Sequence, residues 1–400
     1  MNRIALSPPS PLATRSPERL LTRAFVLLCL AELAYFTAAG VAIYTLPTYV
    51  TGPIGSGTAG AGLAFGAFAV SALVLRPLAG RLSDTRGRRP LLLCGALLCA
   101  AAMFLTAQAG TLAEVVSLRL LQGVAEAAFF VAAFASIADL APPSRMGEAL
   151  SYNSLGLYLG VALGPPLGEA LVEGRGFTAA WLGAGVLALL AAGTALSIGE
   201  TRPVREAAAP PARLIHRAAI PASTGFLTSV VAMGGFLAFA PLQAVATGLA
   251  NTSLPLFVYG GVVVVCRVAF AKVPDRVSSL PLGATALAAI ATGLVVVALS
   301  TSPAGVVLGS GLMGVGVAFS TPAFFSAIFA TATASERGAA SATASVALDL
   351  GLGAGPIALG LVAQTGGLPG AFGGAAAVAL AGSAWSLVLA RREPAPQDHP

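Results

Sequence analysis

The sequence predicts an all-α integral membrane protein, with twelve transmembrane helices in two parallel six-helix halves. Three observations predict it: apolar, charge-poor stretches each long enough to cross a bilayer, a one-sided placement of basic residues, and a repeat that maps the first half of the chain onto the second. Of the 400 residues, 56% are hydrophobic and 10% charged, and the mean hydropathy is +0.87. A helical crossing needs roughly 20 apolar residues. Strands cannot take their place, because open edges leave backbone groups unpaired in hydrocarbon and barrel strands alternate at period two.

Taken in order, the spans begin near Ala24, Ala59, Pro90, Thr111, Met146, Thr178, Ala218, Ser253, Ser278, Pro303, Gly338 and Leu368, separated by turns rich in Gly, Pro or charge. The first follows a basic tail, as a signal peptide does, but it runs on to about Ile43 without a small-residue cleavage site and is expected to remain as a helix. Cys29, Cys94, Cys99 and Cys266 fall in spans with no CxxC pair, which points to packing and away from disulfides or zinc. His216 and His399 lie in the cytoplasmic segments, so no intramembrane His metal centre is expected.

Lys and Arg collect on the cytoplasmic side of short loops. Of the 22 here, all but Arg119 and Arg175 are assigned to the side of the N-terminal tail (Arg3, Arg15, Arg19, Arg23), which also carries Arg391 and Arg392. Both termini are therefore expected in the cytoplasm and the chain in a plasma membrane, a bacterial inner membrane, contacting lipid headgroups. This topogenic bias accounts for the net charge of +6 without a nucleic-acid partner.

A shift of 191 residues places Arg76 on Arg267, Arg81 on Lys272, Asp84 on Asp275, Gly123 on Gly314, Gly147 on Gly338, Gly160 on Gly351, and Gly164-Pro165 on Gly355-Pro356. An even number of crossings per half returns the chain to its starting side, so the copies are parallel, an arrangement that puts a substrate site near mid-membrane between them. The expected organisation is a tail at 1–23, bundles at 24–200 and 218–391, a Pro- and Arg-rich linker at 201–217, and a tail at 392–400.

Charge inside a span is costly and marks a wet interior with a task. Glu32 lies in the first span and Arg119 and Glu126 in the fourth, where Arg119, Gln122 and Glu126 share one helix face. Arg119 and Glu126 are roughly 10 Å apart along the axis, so Gln122, water or an acid from another helix, Glu32 first, is expected to link them. Glu126 and Glu32 read as protonatable carboxylates coupled to Arg119; a static buried ion pair is the alternative. Asp349, at the repeat position of Tyr158, and the aromatic residues Tyr35, Phe129, Tyr158 and Phe236 are candidates for a cavity wall with Gln122.

Between the second and third spans, Gly80-Arg81-Leu82-Ser83-Asp84-Thr85-Arg86-Gly87-Arg88-Arg89 combines a glycine for close helix approach with an acid that can meet the basic cluster or a helix N-terminus. It reads as a charged latch that makes and breaks as the halves rock, echoed by Lys272, Asp275 and Arg276. The fifth span carries Gly156, Gly160, Gly164-Pro165 and Gly168, a small-residue ridge ending in a proline break. These segments resemble the major facilitator superfamily: its loop signature Gly-x-x-x-Asp-Arg-x-Gly-Arg-Arg, with Thr85 at the usual Arg; its Arg-x-x-x-Gly element, at Arg119 and Gly123; and the glycine-proline motif of its drug/proton antiporter branches, with Glu169 at the more common second Gly. The resemblance implies the major facilitator fold, alternating access driven by a proton gradient without a cofactor, and a glycine ridge that seals the outer half of a cavity.

The chain is thus expected to be a transporter and not an enzyme, working as a monomer on small apolar or amphiphilic molecules in the export direction. Gly351-x-Gly353-x-Gly355 lacks the preceding strand that a dinucleotide loop requires. Uptake or facilitated diffusion of a sugar or organic acid is the second reading, and a non-transporting sensor or scaffold the third.

Overall fold

A computed structural model describes residues 20–142, 145–202, 215–333 and 336–392, except the side chains of Gly147, Ser151, Asn153 and Asp275. The N-terminal tail up to residue 19, linker residues 203–214 and residues 393–400 lie outside that range. The helices are α1 (Arg23–Thr51), α2 (Gly57–Arg86), α3 (Arg88–Thr106), α4 (Leu112–Leu140), α5 (Met146–Leu196), α6 (Ile220–Ala246), α7 (Leu254–Ala269), α8 (Val273–Arg276), α9 (Ser279–Leu299), α10 (Pro303–Ala330) and α11 (Arg337–Arg392). Nine helices among the described residues, counting α6 with its leading turn, are long and apolar enough to cross a membrane, and α7 is a shorter apolar helix.

Two of these helices are double rods. α5 breaks at Gly176 (φ 81°) and α11 at Gly367 (φ 66°), left-handed conformations that glycine adopts without a Cβ clash. Both breaks fall at the repeat offset of 191 and immediately precede expected span starts at Thr178 and Leu368, so twelve crossing segments result. Side-chain caps help to satisfy exposed N–H groups where spans meet water: Thr22 accepts from the Phe25 N–H, and Thr111 with Glu114 forms a capping box on α4.

Small residues set how closely the segments approach. Along α5, Gly160 and Gly164 lie against the backbone of Phe36 and Gly40 on α1, where an added Cβ would stand 2.8 and 2.5 Å from backbone atoms. Gly168 is looser at 3.2 Å, and Gly156 looser still at 3.6 Å. The ridge therefore joins two helices of the same half. Between halves, α2 meets α11 backbone to backbone: a Cβ at Gly62 or Gly66 would sit 2.2 Å from the carbonyl oxygens of Pro356 and Gly353. Gly80, read as a close-approach glycine, has open space around its Cβ position instead, because it lies beyond this crossing.

The charged loop folds into a clasp whose described partners lie in the first half and at Arg202, where the linker begins. Arg88 bonds Asp84 (2.7 Å) and Asp139 of α4 (3.0 Å). Glu200, just past α5, accepts from the backbone N–H groups of Arg88 (2.8 Å), Arg89 (3.3 Å) and Arg202 (3.0 Å), while Arg89 donates to the Leu196 carbonyl. Gly87 (φ 107°) makes room, since a Cβ there would stand 2.2 Å from the Glu200 carboxylate. Of the two partners expected for Asp84, the basic cluster supplies the one observed, Arg88, while the carboxylate at a helix N-terminus is Glu200, on α3. The described contacts of the cluster tie α2, α3, α4 and the end of α5 together. Arg81 and Arg86 are exposed, and the side chain of Asp275 lies outside the described residues.

Two outcomes follow from this packing. Gly164→Val forces overpacking worth about 1–3 kcal/mol and is expected to lower the unfolding temperature of detergent-purified protein by several degrees; Gly174→Ala, in open space, serves as the control and leaves it unchanged. Partial burial pushes the Glu200 carboxyl up, but the N–H groups of Arg88, Arg202 and Arg89 outweigh it and hold the group below the usual carboxylate range. A depressed carboxyl stabilises the fold above its unfolded value of about 4.3 and ceases to as pH falls through the folded value. Wild type should therefore lose stability relative to Glu200→Gln below about pH 4, and parallel pH profiles by thermal unfolding would refute the capping role.

Candidate substrate cavity

Between the halves lies a cavity of about 280 Å³, near the lower end of the roughly 300–1,000 Å³ usual for small-molecule sites. Its walls are mainly aromatic and aliphatic, with Phe36 and Ile43 of α1, Phe65 of α2, Phe134 of α4 and Phe226 of α6 among them. Into this wall are set three arginines and two carboxylates: Arg76, Arg119, Arg267, Glu126 and Asp349.

The α4 residues arise from helical spacing and one glycine. Arg119, Gln122 and Glu126 all line the cavity, as their shared face requires. Gly123 lets α4 touch α2, where a Cβ would meet the Phe68 carbonyl oxygen at 1.9 Å. Arg119 consequently reaches the α2 backbone, donating to the carbonyls of Ala64 (3.1 Å) and Phe65 (3.3 Å) with its guanidinium 4.7 Å from the centre of the Phe68 ring. It also donates to Gln122 Oε1. The Gln122 amide turns to Met103 (3.6 Å), so the expected Gln122 relay to Glu126 is absent among the described contacts. Glu126 has no ion-pair partner within 4 Å among the described residues, yet lies in electrostatic range of Arg76, Asp349 and Arg119.

Arg76 and Arg267 correct the sequence reading, which had placed both with the basic side; they sit within helices, on the cavity wall. Arg76 makes a two-pronged bond across the halves to Asp349, at 2.5 and 2.8 Å, with its guanidinium 4.8 Å from the centre of the Phe130 ring. Arg267, its repeat counterpart, meets Tyr158, the counterpart of Asp349: the guanidinium lies 4.4 Å from the ring centre and Nη2 is 3.3 Å from the hydroxyl. For Arg76 the signal was present in the sequence, since it interrupts an apolar run well before its helix ends, whereas Arg267 lies in the last turn of α7 and is marked by its repeat match to Arg76 alone.

Tyr35, Tyr158, Gln122 and Asp349 stand on the wall as expected. Phe129 and Phe236 do not: Phe129 stacks behind Tyr35 at 4.0 Å between ring centres, and Phe236 packs against Tyr259 at 5.3 Å. Glu32 is also displaced from the expected site. It is buried against α5 beside Gly156, outside the cavity lining, because its helix position faces the α1–α5 ridge.

Glu169 joins the two halves at the charge-poor end, remote from the basic loops. Its carboxylate, 7% exposed, accepts from the N–H (2.5 Å) and hydroxyl (2.7 Å) of Thr252 and from the N–H (3.2 Å) and hydroxyl (2.6 Å) of Ser253. These residues immediately precede α7, so an acid from one half caps a helix N-terminus in the other, and Tyr44 braces both partners. Sequence reading saw only a departure from a glycine motif.

Residues 28–309 match the family described as the Major Facilitator Superfamily. An uncharacterized MFS-type transporter of Burkholderia mallei (strain SAVP1) is 30% identical over 380 residues, covering 90% of each chain. One of Salmonella typhimurium is 28% identical over 299 residues, 72% of this chain and 76% of the relative. Among solved structures, a bacterial homolog of the human lysosomal transporter Spinster, in an inward-facing and occupied conformation, shares the fold with a TM-score of 0.76 at 14% identity, over 93% of this chain and 98% of that one. With a matching family, full-length relatives and the same helical fold, this multi-pass chain belongs to the major facilitator superfamily of membrane transporters.

Proposed function

We propose that the chain is a proton-coupled secondary transporter that exports small amphiphilic molecules by alternating access, with its basic face in the cytoplasm. The observation that carries the reading is Glu126: a carboxylate on the cavity wall with no ion-pair partner within 4 Å among the described residues. Protonation there changes the charge of the substrate compartment, whereas a carboxylate locked to an arginine does not exchange its proton as readily. Asp349 is locked in that way to Arg76. A proton entering down a potential of 100 mV releases roughly 2.3 kcal/mol, enough to drive a tens-of-fold concentration ratio of a neutral substrate.

The apolar wall supports an amphiphilic cargo, and the glycine ridge against α1, similar to that of antiporter branches, supports export. Sugar uptake is disfavoured, because Gln122 is already engaged by Arg119 and Met103. In proteoliposomes, adding a lipophilic fluorescent dye is expected to drive proton movement in wild type, and Glu126→Gln to reduce it to the level of protein-free liposomes. Wild-type-like proton flux in the variant would sink the reading.

Alternating access also makes Glu169 a closure of the charge-poor face. Hydrogen bonds to a carboxylate are worth about 1.5–3 kcal/mol each, so Glu169→Ala is expected to shift the population at least about tenfold toward opening there. The measure is labelling, from that face, of a cysteine introduced at Ile43 on a cysteine-free background. Unchanged labelling removes Glu169 from the closure.

A further inference from the structure

We propose that Arg267, braced by Tyr158, binds an anionic group of the substrate, so that the transported class is an amphiphile with an apolar body and one carboxylate, sulfonate or phosphate head. The proposal rests on the cavity being the transport site and adds the chemistry of its cargo.

The argument compares the three arginines of the wall. Arg76 is neutralised by a two-pronged bond to Asp349. Arg119 has no acid within 4 Å among the described residues, but each of its three nitrogens donates, two to α2 carbonyls and one to Gln122. Arg267 has neither arrangement. Its hydrogen-bond acceptor among the described contacts is the Tyr158 hydroxyl at 3.3 Å, and its Nε–H is buried with no acceptor among the described residues. A guanidinium presents five donors and pairs best with a planar oxyanion taken by two prongs. In a wall this apolar, an N–H without an acceptor is a standing penalty that a ligand oxyanion relieves.

The repeat shows what is missing. At one site the arginine faces Asp349; at its counterpart, 191 residues away in each member, the arginine faces Tyr158. The phenol supplies a ring face and one oxygen but no charge. The position that the Asp349 carboxylate fills at one site is, at the other, left for a carboxylate or similar group brought by the substrate. Arg267 lines the main cavity and also a smaller one bounded by Ser154, Phe270 and Phe319, so its head is reachable from the space between the halves.

The test uses full-length protein in detergent and three probes with one apolar body: 2-naphthalenesulfonate, 2-naphthylmethanol and 2-naphthylmethylammonium, titrated calorimetrically. Wild type is expected to bind the sulfonate at least about tenfold more tightly than either of the others. Arg267→Gln should abolish that preference, and Tyr158→Asp, which supplies the acid internally, should abolish it too; Tyr158→Phe should keep it. Equal binding of the three probes, preference for the ammonium, or a preference that survives Arg267→Gln would overturn the assignment. If either variant fails to elute as a single species, the wild-type ranking decides. The same probes in proteoliposomes separate the two levels of inference: proton-coupled movement of the alcohol or ammonium alone rejects the anion site and keeps the transporter, whereas proton flux indifferent to Glu126→Gln rejects the proton-coupling reading whichever probe binds.

Discussion

An ionised side chain inside a bilayer persists only where it meets a countercharge, a backbone carbonyl or water. That constraint orders the middle of this protein. Arg76 and Asp349 meet each other, Arg119 meets the carbonyls of Ala64 and Phe65, and Glu126 and Arg267 border the cavity. Each solution requires helices held close enough for the partner to reach, and that closeness comes from missing side chains. Gly123 brings Arg119 to α2, and Gly62 and Gly66 bring α2 to α11. The glycines and the charges are therefore two parts of one arrangement.

The two halves share a frame but not its chemistry. The frame is conformational: helix breaks at Gly176 and Gly367, and matched arginines facing across to the opposite half. On it the side chains diverge, with Asp349 against Tyr158 and a described charged clasp in the first half that holds Glu200 at the start of α3. Divergence of this kind leaves unpaired charge on the wall, which a symmetric wall of paired charges would not.

The fold was legible because it depends on patterns that survive in one dimension. Apolar length and the even count of crossings defined the segments, and the span starts expected near Thr178 and Leu368 fall just past the two breaks. The face shared by Arg119, Gln122 and Glu126 was legible for the same reason, since it lies on one helix. Contacts between helices were not. Nothing in the spacing says that Glu32 points toward α5, that Phe129 stands behind Tyr35, or that Glu169 reaches the start of α7. Arg267 was misread because a charge in the last turn of a span has the same linear signature as one in a loop, and Arg76 because it was counted with the basic loop that follows it on the same helix.

The two contacts that join the halves toward the charge-poor end differ in physical origin, and this bears on how the halves can move. At the charge-poor end, Glu169 makes four directional bonds to Thr252 and Ser253, all of which can break in a single rotation of α7 away from α5 and be replaced by water. The contact of α2 with α11 is backbone against backbone, without an equivalent polar set to exchange. Near the cavity, the Arg76–Asp349 bond crosses the same pair of helices deep in an apolar wall, where separating the partners leaves two buried charges at a cost of about 3–5 kcal/mol. Rocking that opened both helix pairs equally would have to meet that cost in every cycle. The arrangement instead favours motion that hinges near α2 and α11 and swings widest between α5 and α7, where the bonds are exchangeable and Arg267 and Tyr158 face the cavity.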